Sequence, residues 1–133
     1  MAEVNVGEEV PVVNAFCLHN GMEQELVEQD RCVFRMEAQP YHMNYYGNLH
    51  GGVYFALADS ATGFAARTDG RQYVTQQADM HFIRGENTGV IRADARVRYR
   101  GKSTALVSVE ISNDAGKLLA TGEFTFFCIS NRT

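Results

Sequence analysis

The sequence is poor in the residues that mark several specialised classes of protein. It has no tryptophan, two prolines and three cysteines in 133 residues. The cysteines, Cys17, Cys32 and Cys128, are odd in number and form no CxxC pair. They therefore predict three buried thiols rather than a disulfide framework or a zinc site. The four histidines also lack metal-ligand spacing such as HxxxH, so we expect no metal ion.

Long apolar runs and an excess of positive charge are lacking as well. No segment approaches the roughly 18 uncharged apolar residues of a membrane span, and the acidic start has no signal-peptide core. A net charge of −4 argues against affinity for nucleic acid. The sequence predicts a soluble, cytoplasmic protein without a membrane partner. Its length and 45% hydrophobic content fit one domain spanning residues 1–133.

The sequence does contain a long apolar segment with a single acid. Residues 51–66 read GGVYFALADSATGFAA, enough for a four-turn helix whose only charged residue is Asp59. A helix that is apolar on every face has to be buried, and a buried carboxylate rarely lacks a purpose. Asp59 is therefore the first candidate catalytic group. The alternative is a structural carboxylate, for example one paired with Arg67.

The start of this helix predicts a second functional group. Gly51 and Gly52 follow His50, so backbone N–H groups that the helix cannot satisfy point outward without side chains around them. Such donors suit a carbonyl oxygen or an anion. Gly51 lies about 12 Å from Asp59 along the axis, whereas a catalytic carboxylate works within about 3 Å. If both act on one bond, they come from two antiparallel copies of the helix in a homodimer.

The flanking segments predict a sheet around that helix. Residues 8–20 predict a short helix with Pro11 in its first turn, and residues 23–36 a hairpin of two strands. After the central helix, period-two patterning predicts a three- or four-stranded antiparallel meander. In its first strand the even-numbered residues from 74 to 82 share one face. In the next strand the odd-numbered residues from 91 to 99 face inward and the arginine-bearing even-numbered positions face solvent. The expected fold is α+β, one helix wrapped by a curved antiparallel sheet.

The motifs resemble one known family. The pattern Asn44-x-x-Gly47-x-x-His50-Gly51-Gly52, followed by FALADSA at residues 55–61, closely resembles the signature of hotdog-fold acyl-CoA thioesterases of the PaaI-like, phenylacetate-pathway group. Weaker similarity extends over most of the chain, and no GxSxG motif points to an α/β-hydrolase. The resemblance implies edge-to-edge dimers, commonly paired into homotetramers, with active sites at the dimer interface.

The resemblance also implies roles for individual residues. The Gly51 N–H would polarise the thioester carbonyl, and Asp59 of the other protomer would act as general base or nucleophile. Asn44 would hold the leaving sulfur or the water, although turn chemistry alone also explains an asparagine in such a loop. His50 would shape the turn. Coenzyme A would be part of the substrate, with no separate cofactor.

Further positions are candidates for substrate binding. Some relatives place a serine or threonine on the strand after the helix to orient water, and here Gln77 is the candidate for that role. Gly52 and Tyr54 are candidates beside the carbonyl and the acyl group. For the phosphates of coenzyme A the candidates are Arg84, Arg100, Lys102 and Ser103, because strand-end turns offer both charge and backbone donors.

Two other functions stay open at this point. The domain could bind acyl-CoA as a sensor without turnover, although binding gains nothing from a buried carboxylate. It could also hydrate or dehydrate an acyl thioester, but no histidine has the helix setting of Asp59.

Overall fold

The computed structural model describes residues 14–130, which form two α-helices, two short 3-10 helices (Pro40–His42 and Arg67–Asp69) and one six-stranded antiparallel sheet. Along the chain these are α1 (Ala15–Asn20), β1 (Glu23–Glu28), β2 (Arg31–Glu37), α2 (Gly51–Ala66), β3 (Tyr73–Phe82), β4 (Val90–Arg100), β5 (Thr104–Asn113) and β6 (Leu118–Cys128). The sheet wraps around α2, which confirms the predicted α+β hotdog architecture.

The first helix is shorter than the sequence predicts. It begins after Asn14, whose side chain accepts a hydrogen bond from the Cys17 N–H at 2.8 Å, and it ends at Gly21 with φ 69°. A glycine in the left-handed region is a common way for a helix to end. Residues 8–13, including Pro11, lie outside the described residues.

The central helix α2 is enclosed because it contacts all six strands. At about 100° per residue, its buried side chains cover one half of the helix circumference: Tyr54, Leu57, Ala58, Ala61, Thr62, Ala65 and Ala66. Many of them are alanines, which favour the helix and let the sheet approach closely. Leu57 meets a fully buried layer that includes Phe34 and Phe124. The predicted burial is confirmed for this half of the helix, whereas Val53, Ala56, Asp59 and Ser60 on the other half are only partly buried.

The order of strands differs from a simple meander. β4, β5 and β6 follow one another, but β3 pairs with β6 at the far side and not with β4. The order in space is β1-β2-β4-β5-β6-β3. The three-stranded alternative of the predicted meander is confirmed for β4, β5 and β6. The four-stranded alternative, which includes β3, is wrong, because residues 83–89 carry the chain across to β4. As a result β1 and β3 are the two free edges of the sheet.

A bulge in β4 reverses the faces to which the side chains of its last residues point. Up to the bulge the prediction is confirmed, since Ile91, Ala93 and Ala95 are fully buried. The register with β5 then shifts between Val97 and Tyr99. An inserted residue reverses the alternation of side chains. Tyr99 is consequently 60% exposed and Arg100 turns inward, so the predicted facing of these two residues is wrong.

A second bulge lies in β3. Its register with β6 shifts between Thr75 and Gln77. Tyr73 and Thr75 face α2 before the bulge, whereas Ala78 and Met80 face it afterwards. The predicted unbroken alternation from residue 74 to 82 is therefore wrong in its first half.

The outer face of β4 is a solvated surface, as the sequence indicates. Arg92 pairs with Glu25 at 2.9 Å and Arg96 with Asp94 at 3.4 Å. These arginines are a third to a half exposed, so their ion pairs contribute little stability.

The bulged edge strand β3 requires a glycine on its neighbour. A Cβ at Gly122 would collide with the Met80 side chain and lie 2.8 Å from the Asp79 carbonyl oxygen. Because a backbone atom cannot move away without shifting β3, we expect Gly122→Ala to lower the free energy of unfolding by about 1–3 kcal/mol. Urea denaturation measures the loss. Thr125→Ala, on the outward face of the same strand, is the control, and an unchanged midpoint for Gly122→Ala would contradict the analysis.

Candidate active site

The Asp59 carboxylate lies half-buried in the middle of α2 and has one clear partner. The Thr75 hydroxyl on β3 donates a hydrogen bond to Asp59 Oδ1 at 2.6 Å. Within residues 14–130 this is the only hydrogen bond to the Asp59 side chain, and no cation lies within 4 Å of it. The alternative of an ion pair with Arg67 is therefore wrong. A neutral hydroxyl orients the carboxylate without neutralising it.

Thr75, not Gln77, occupies the polar position beside Asp59. Gln77 is paired with Thr125, and partners in register share one face of the sheet, which here is the face away from α2. The prediction for Gln77 is wrong because the bulge places Thr75 and Gln77 on opposite faces. The sequence contained evidence for this role, because Thr75 has a hydroxyl of the kind that some relatives place on this strand.

The N-terminus of α2 is shaped by His50. This residue is the N-cap, and its Nδ1 accepts a hydrogen bond from the Gly52 N–H at 2.8 Å. The Gly52 donor is thereby used within the turn. Among the described residues the Gly51 N–H has no acceptor. Gly51 is therefore the donor that this helix end leaves for a ligand.

Asn44 organises the loop that leads to this turn. Its Oδ1 accepts hydrogen bonds from the N–H groups of Tyr46 at 2.8 Å and Asn48 at 3.1 Å. The loop is also held by a bond from the Leu49 N–H to the Glu86 carbonyl at 2.8 Å. The Asn44 amide oxygen is thus structural. In the described part of the chain its Nδ2 donates no hydrogen bond, so only this nitrogen is left for a substrate.

Tyr54 belongs to the core rather than to an open pocket. It is 3% exposed, stacks with Phe82 and donates its hydroxyl proton to the Arg84 carbonyl at 3.1 Å. Burial raises the pKa of Tyr54, which keeps the phenol protonated as a donor. Tyr54 thereby fixes residues 83–84 against the start of α2. The Arg84 side chain itself is exposed.

Arg100 is engaged inside the protein. The bulge in β4 directs its guanidinium to the C-terminal end of α2, where it contacts Asp30 at 2.8 Å, Asp69 at 2.8 Å and the Ala66 carbonyl at 2.8 Å. Both terminal NH₂ groups of Arg100 are occupied and its Nε is buried without a partner, so Arg100 no longer serves as a candidate phosphate ligand. Lys102 and Ser103 remain exposed at the turn, and with Arg84 they stay predictions.

The Asp69 carboxylate is the centre of this cluster. Burial alone would raise the pKa of Asp69, but hydrogen bonds from Tyr73 and Arg71 and the charge of Arg100 outweigh burial and hold the pKa below its ordinary value. Asp69 is thus a charged group with a structural role.

Within residues 14–130, the cysteine, histidine and acidic side chains do not form a metal site. All three cysteines are buried thiols, as predicted. Within residues 14–130, no group of three or more His, Cys, Asp or Glu side chains could hold a metal ion. No helix in that range is long and apolar enough to cross a membrane.

Comparison with known proteins agrees with this architecture. The model of the thioesterase superfamily matches residues 46–120. The acyl-coenzyme A thioesterase PaaI of Escherichia coli (strain K12) is 30% identical over 95 residues, which are 71% of this chain and 68% of that protein. The chain therefore belongs to the thioesterase superfamily, as a PaaI-like hotdog thioester hydrolase.

Solved structures show the same fold. That of the E. coli PaaI protein from the phenylacetic acid degradation operon superposes with a TM-score of 0.86 at 27% identity, covering 89% of this chain and 86% of that one. A hypothetical thioesterase protein from Streptococcus pneumoniae TIGR4, solved with coenzyme A, gives a TM-score of 0.79 at 26% identity, with coverage of 84% and 91%.

The contacts of Arg100 predict that Arg100 contributes to the stability of the fold and that the nearby Lys102 does not. Arg100→Met would leave Asp69 with Arg71 as its only cation and would remove the cation beside Asp30, so we expect a loss of about 1–3 kcal/mol in the free energy of unfolding. Lys102→Met, two residues away and exposed, should change it by less than about 0.5 kcal/mol. Urea denaturation at neutral pH compares the two variants. Equal stability would show that the contacts of Arg100 contribute little.

Proposed function

We propose that the protein hydrolyses acyl-CoA thioesters to a free acid and coenzyme A. Two relatives support the choice of thioester, since one is named an acyl-coenzyme A thioesterase and one was solved with coenzyme A. The observation that carries the proposal is the pair of groups on α2. Asp59 accepts a hydrogen bond from a neutral hydroxyl and has no ion pair within residues 14–130, and the Gly51 N–H has no acceptor in the same range.

The edge strand β3 provides a way to bring these groups together. Thr75 on β3 contacts Asp59, and the Phe82 ring lies 3.6 Å from the position of a Gly51 Cβ. If two β3 edges pair antiparallel about a two-fold axis at Asp79, Ala78 of one subunit lies opposite Met80 of the other on the inner face, and the bulge before Gln77 brings Thr75 beside Phe82 of the partner subunit. Asp59 then lies beside Gly51 of the partner subunit. This is the arrangement that the 12 Å separation requires.

The exposed surface of β3 favours such pairing. As a free edge it offers unpaired backbone donors and acceptors. It also carries apolar side chains that are exposed in the single chain, with Val74 46% and Phe82 53% exposed. A second copy of β3 would satisfy the backbone and cover these side chains.

In the general-base route, Asp59 removes a proton from water while the water oxygen attacks the thioester carbon. The Gly51 N–H of the partner subunit stabilises the negative charge that develops on the carbonyl oxygen. The C–S bond then breaks, and the coenzyme A thiolate leaves and takes up the proton. Thr75 contributes by holding Oδ1, which leaves Oδ2 toward the substrate.

In the nucleophilic route, an Asp59 oxygen attacks the thioester carbon directly. A mixed anhydride forms as the thiolate leaves, and water then cleaves the anhydride to regenerate the carboxylate. The same Thr75 bond orients the attacking group. Both routes use the same residues.

The same two-fold pairing gathers the candidate phosphate ligands. It places Arg84 of one subunit opposite Tyr73 of the other, and Tyr73 contacts Arg100 at the base of the turn that carries Lys102. One shared site would thus have cations from both subunits at the same end. This supports Arg84, Lys102 and Ser103 as coenzyme A contacts.

The roles of Asp59 and Thr75 can be separated by substitution. Asp59→Asn preserves shape but removes the base or nucleophile, so kcat should fall at least about 100-fold. Thr75→Val removes only the orienting bond and should lower kcat about 3- to 30-fold with little change in KM. Thiol release from an acyl-CoA measures both, with Gln77→Ala as the control on the opposite face. Near-normal turnover by folded Asp59→Asn would refute the mechanism.

The shared site predicts complementation between inactive variants. Asp59→Asn and Gly51→Pro, which removes the backbone donor, should each be inactive alone. Random pairing makes half of the dimers mixed, and each mixed dimer has one site with both native groups. Co-refolded equal mixtures should therefore regain about a quarter of wild-type activity. If subunit exchange is confirmed by mass spectrometry and the mixture stays inactive, each site lies within one subunit.

A further inference from the structure

The guanidinium of Arg67 lies closer to Asp59 than the positions of the two residues in α2 suggest. They are eight residues apart, which corresponds to about 12 Å along the helix axis. The Arg67 side chain, however, runs back along the helix. Its Cζ is 4.5 Å from the centre of the Phe64 ring, and its Nη1 comes within 3.5 Å of the position that a Gly63 Cβ would occupy. The charge of Arg67 is therefore about one helical turn nearer to Asp59 than the Arg67 backbone is.

Gly63 lies halfway between the two charged residues. Asp59, Gly63 and Arg67 follow at spacings of four residues and so lie along one ridge of α2, where neighbouring Cβ atoms are about 5–6 Å apart. The Asp59 carboxylate and the Arg67 guanidinium are thus roughly 6–9 Å apart. This is too far for an ion pair, and none joins them in the described residues. It is near enough for a Coulomb interaction inside a protein.

The surroundings of Gly63 are apolar, which strengthens this interaction. The Phe126 ring is 2% exposed, and its Cε2 lies 3.6 Å from the Gly63 Cβ position, beside the Arg67 Nη1. Opposite charges attract each other more strongly in such surroundings than in water. Burial lowers the pKa of Arg67, and the charge of Asp59 opposes this effect, which agrees with an interaction between the two groups.

The other groups that face Asp59 within the described chain are neutral. From β3, the Thr75 hydroxyl donates a hydrogen bond to Asp59 Oδ1. From α1, Cys17 contacts Ser60, the residue after Asp59, with 3.2 Å between Sγ and Oγ. Burial raises the pKa of the Cys17 thiol, so this group is uncharged at neutral pH. Neither β3 nor α1 therefore brings a charge to Asp59 through these contacts, whereas Arg67 on α2 does.

We infer that Arg67 is a positioning residue that acts on Asp59 through its charge and sets the lower pH limit of hydrolysis. A guanidinium stays protonated at every pH at which an enzyme works. A cation near a carboxylate favours the ionised form, which both proposed routes require. Removing the cation makes a carboxylate easier to protonate, so the loss of activity with falling pH should begin at a higher pH. The inference rests on the proposed thioesterase function, with Asp59 as base or nucleophile.

The first test is the dependence of kcat on pH, with hexanoyl-CoA as the probe and loss of the thioester absorbance as the signal. In Arg67→Met, the pH at which kcat falls to half of its maximum should rise by about 0.5–1.5 pH units. The maximum itself should change by less than about 3-fold, because Arg67 touches no reacting atom. Arg67→Lys keeps the positive charge, so its pH limit should rise by less than about 0.5 pH units.

The matched control is Arg96→Met, which removes the same charge from the outer face of the sheet. The Arg96 side chain is 50% exposed, and the pH limit should not change. In the proposed dimer, the partner's His50 and the partner's Arg84 also come near Asp59, but they are the same in every variant and do not contribute to the difference. A fall in kcat by one factor at every pH, or equal shifts in Arg67→Met and Arg67→Lys, would overturn the inference.

A second variant leaves Arg67 in place. Gln72 lines the same pocket as Arg67, with Val27 and Phe64 as its apolar part. Gln72→Glu keeps the size of the side chain and adds a carboxylate beside the guanidinium, which should offset part of its charge. The pH limit should rise in this variant too, by less than in Arg67→Met. An unchanged limit in Gln72→Glu would overturn the inference even if Arg67→Met does not fold.

A stability measurement tests the interaction without turnover. Urea denaturation of the wild type, Arg67→Met, Asp59→Asn and the double variant at neutral pH forms a double-mutant cycle. Arg67→Met should lower the urea midpoint more in the presence of Asp59 than in its absence, because only the first comparison removes the attraction between the charges. The two possible failures are distinct. A wild type that hydrolyses no acyl-CoA refutes the proposed function, whereas additive losses of stability refute the inference about Arg67.

Discussion

The constraint on which the rest of the structure depends is the enclosure of α2. Its buried side chains occupy half of the helix circumference, so no single flat sheet can cover them, and the six strands have to curve around the helix. A sheet that wraps one helix without closing leaves two edges. One of these edges, β3, passes directly beside Asp59. The fold thus brings a free strand edge and a half-buried carboxylate to the same place.

The charged groups in and around α2 follow two different rules. At the C-terminal end of the helix, Arg100 and Asp69 neutralise each other and satisfy nearby carbonyls, as buried charges must for stability. Asp59 has no such ion pair within residues 14–130. Neither burial nor helix formation is helped by a carboxylate without a direct partner cation. The position of Asp59 is therefore better explained by a group that arrives from outside, the thioester on which it is proposed to act.

Local patterns in the sequence were enough to predict the central helix, the strands and the two groups on α2. The apolar run with its single acid and the two glycines at its start are local features, and they appear where expected. The two bulges were not predictable, because a bulge is set by the register between strands distant in sequence. Each bulge reverses a face, which is why Gln77 proved to face away from Asp59 and Arg100 proved to face inward.

The rigidity of a helix makes association part of the proposed chemistry. Gly51 and Asp59 are held about 12 Å apart by their own hydrogen bonds, and no loop movement within one chain shortens that distance. Only another copy of α2, turned the opposite way, brings a donor to the carboxylate. Pairing through β3 would do this while also satisfying an exposed edge. Dilution below the dimer dissociation constant would then remove activity before it unfolds either subunit, so the free energy of association sets the amount of active enzyme.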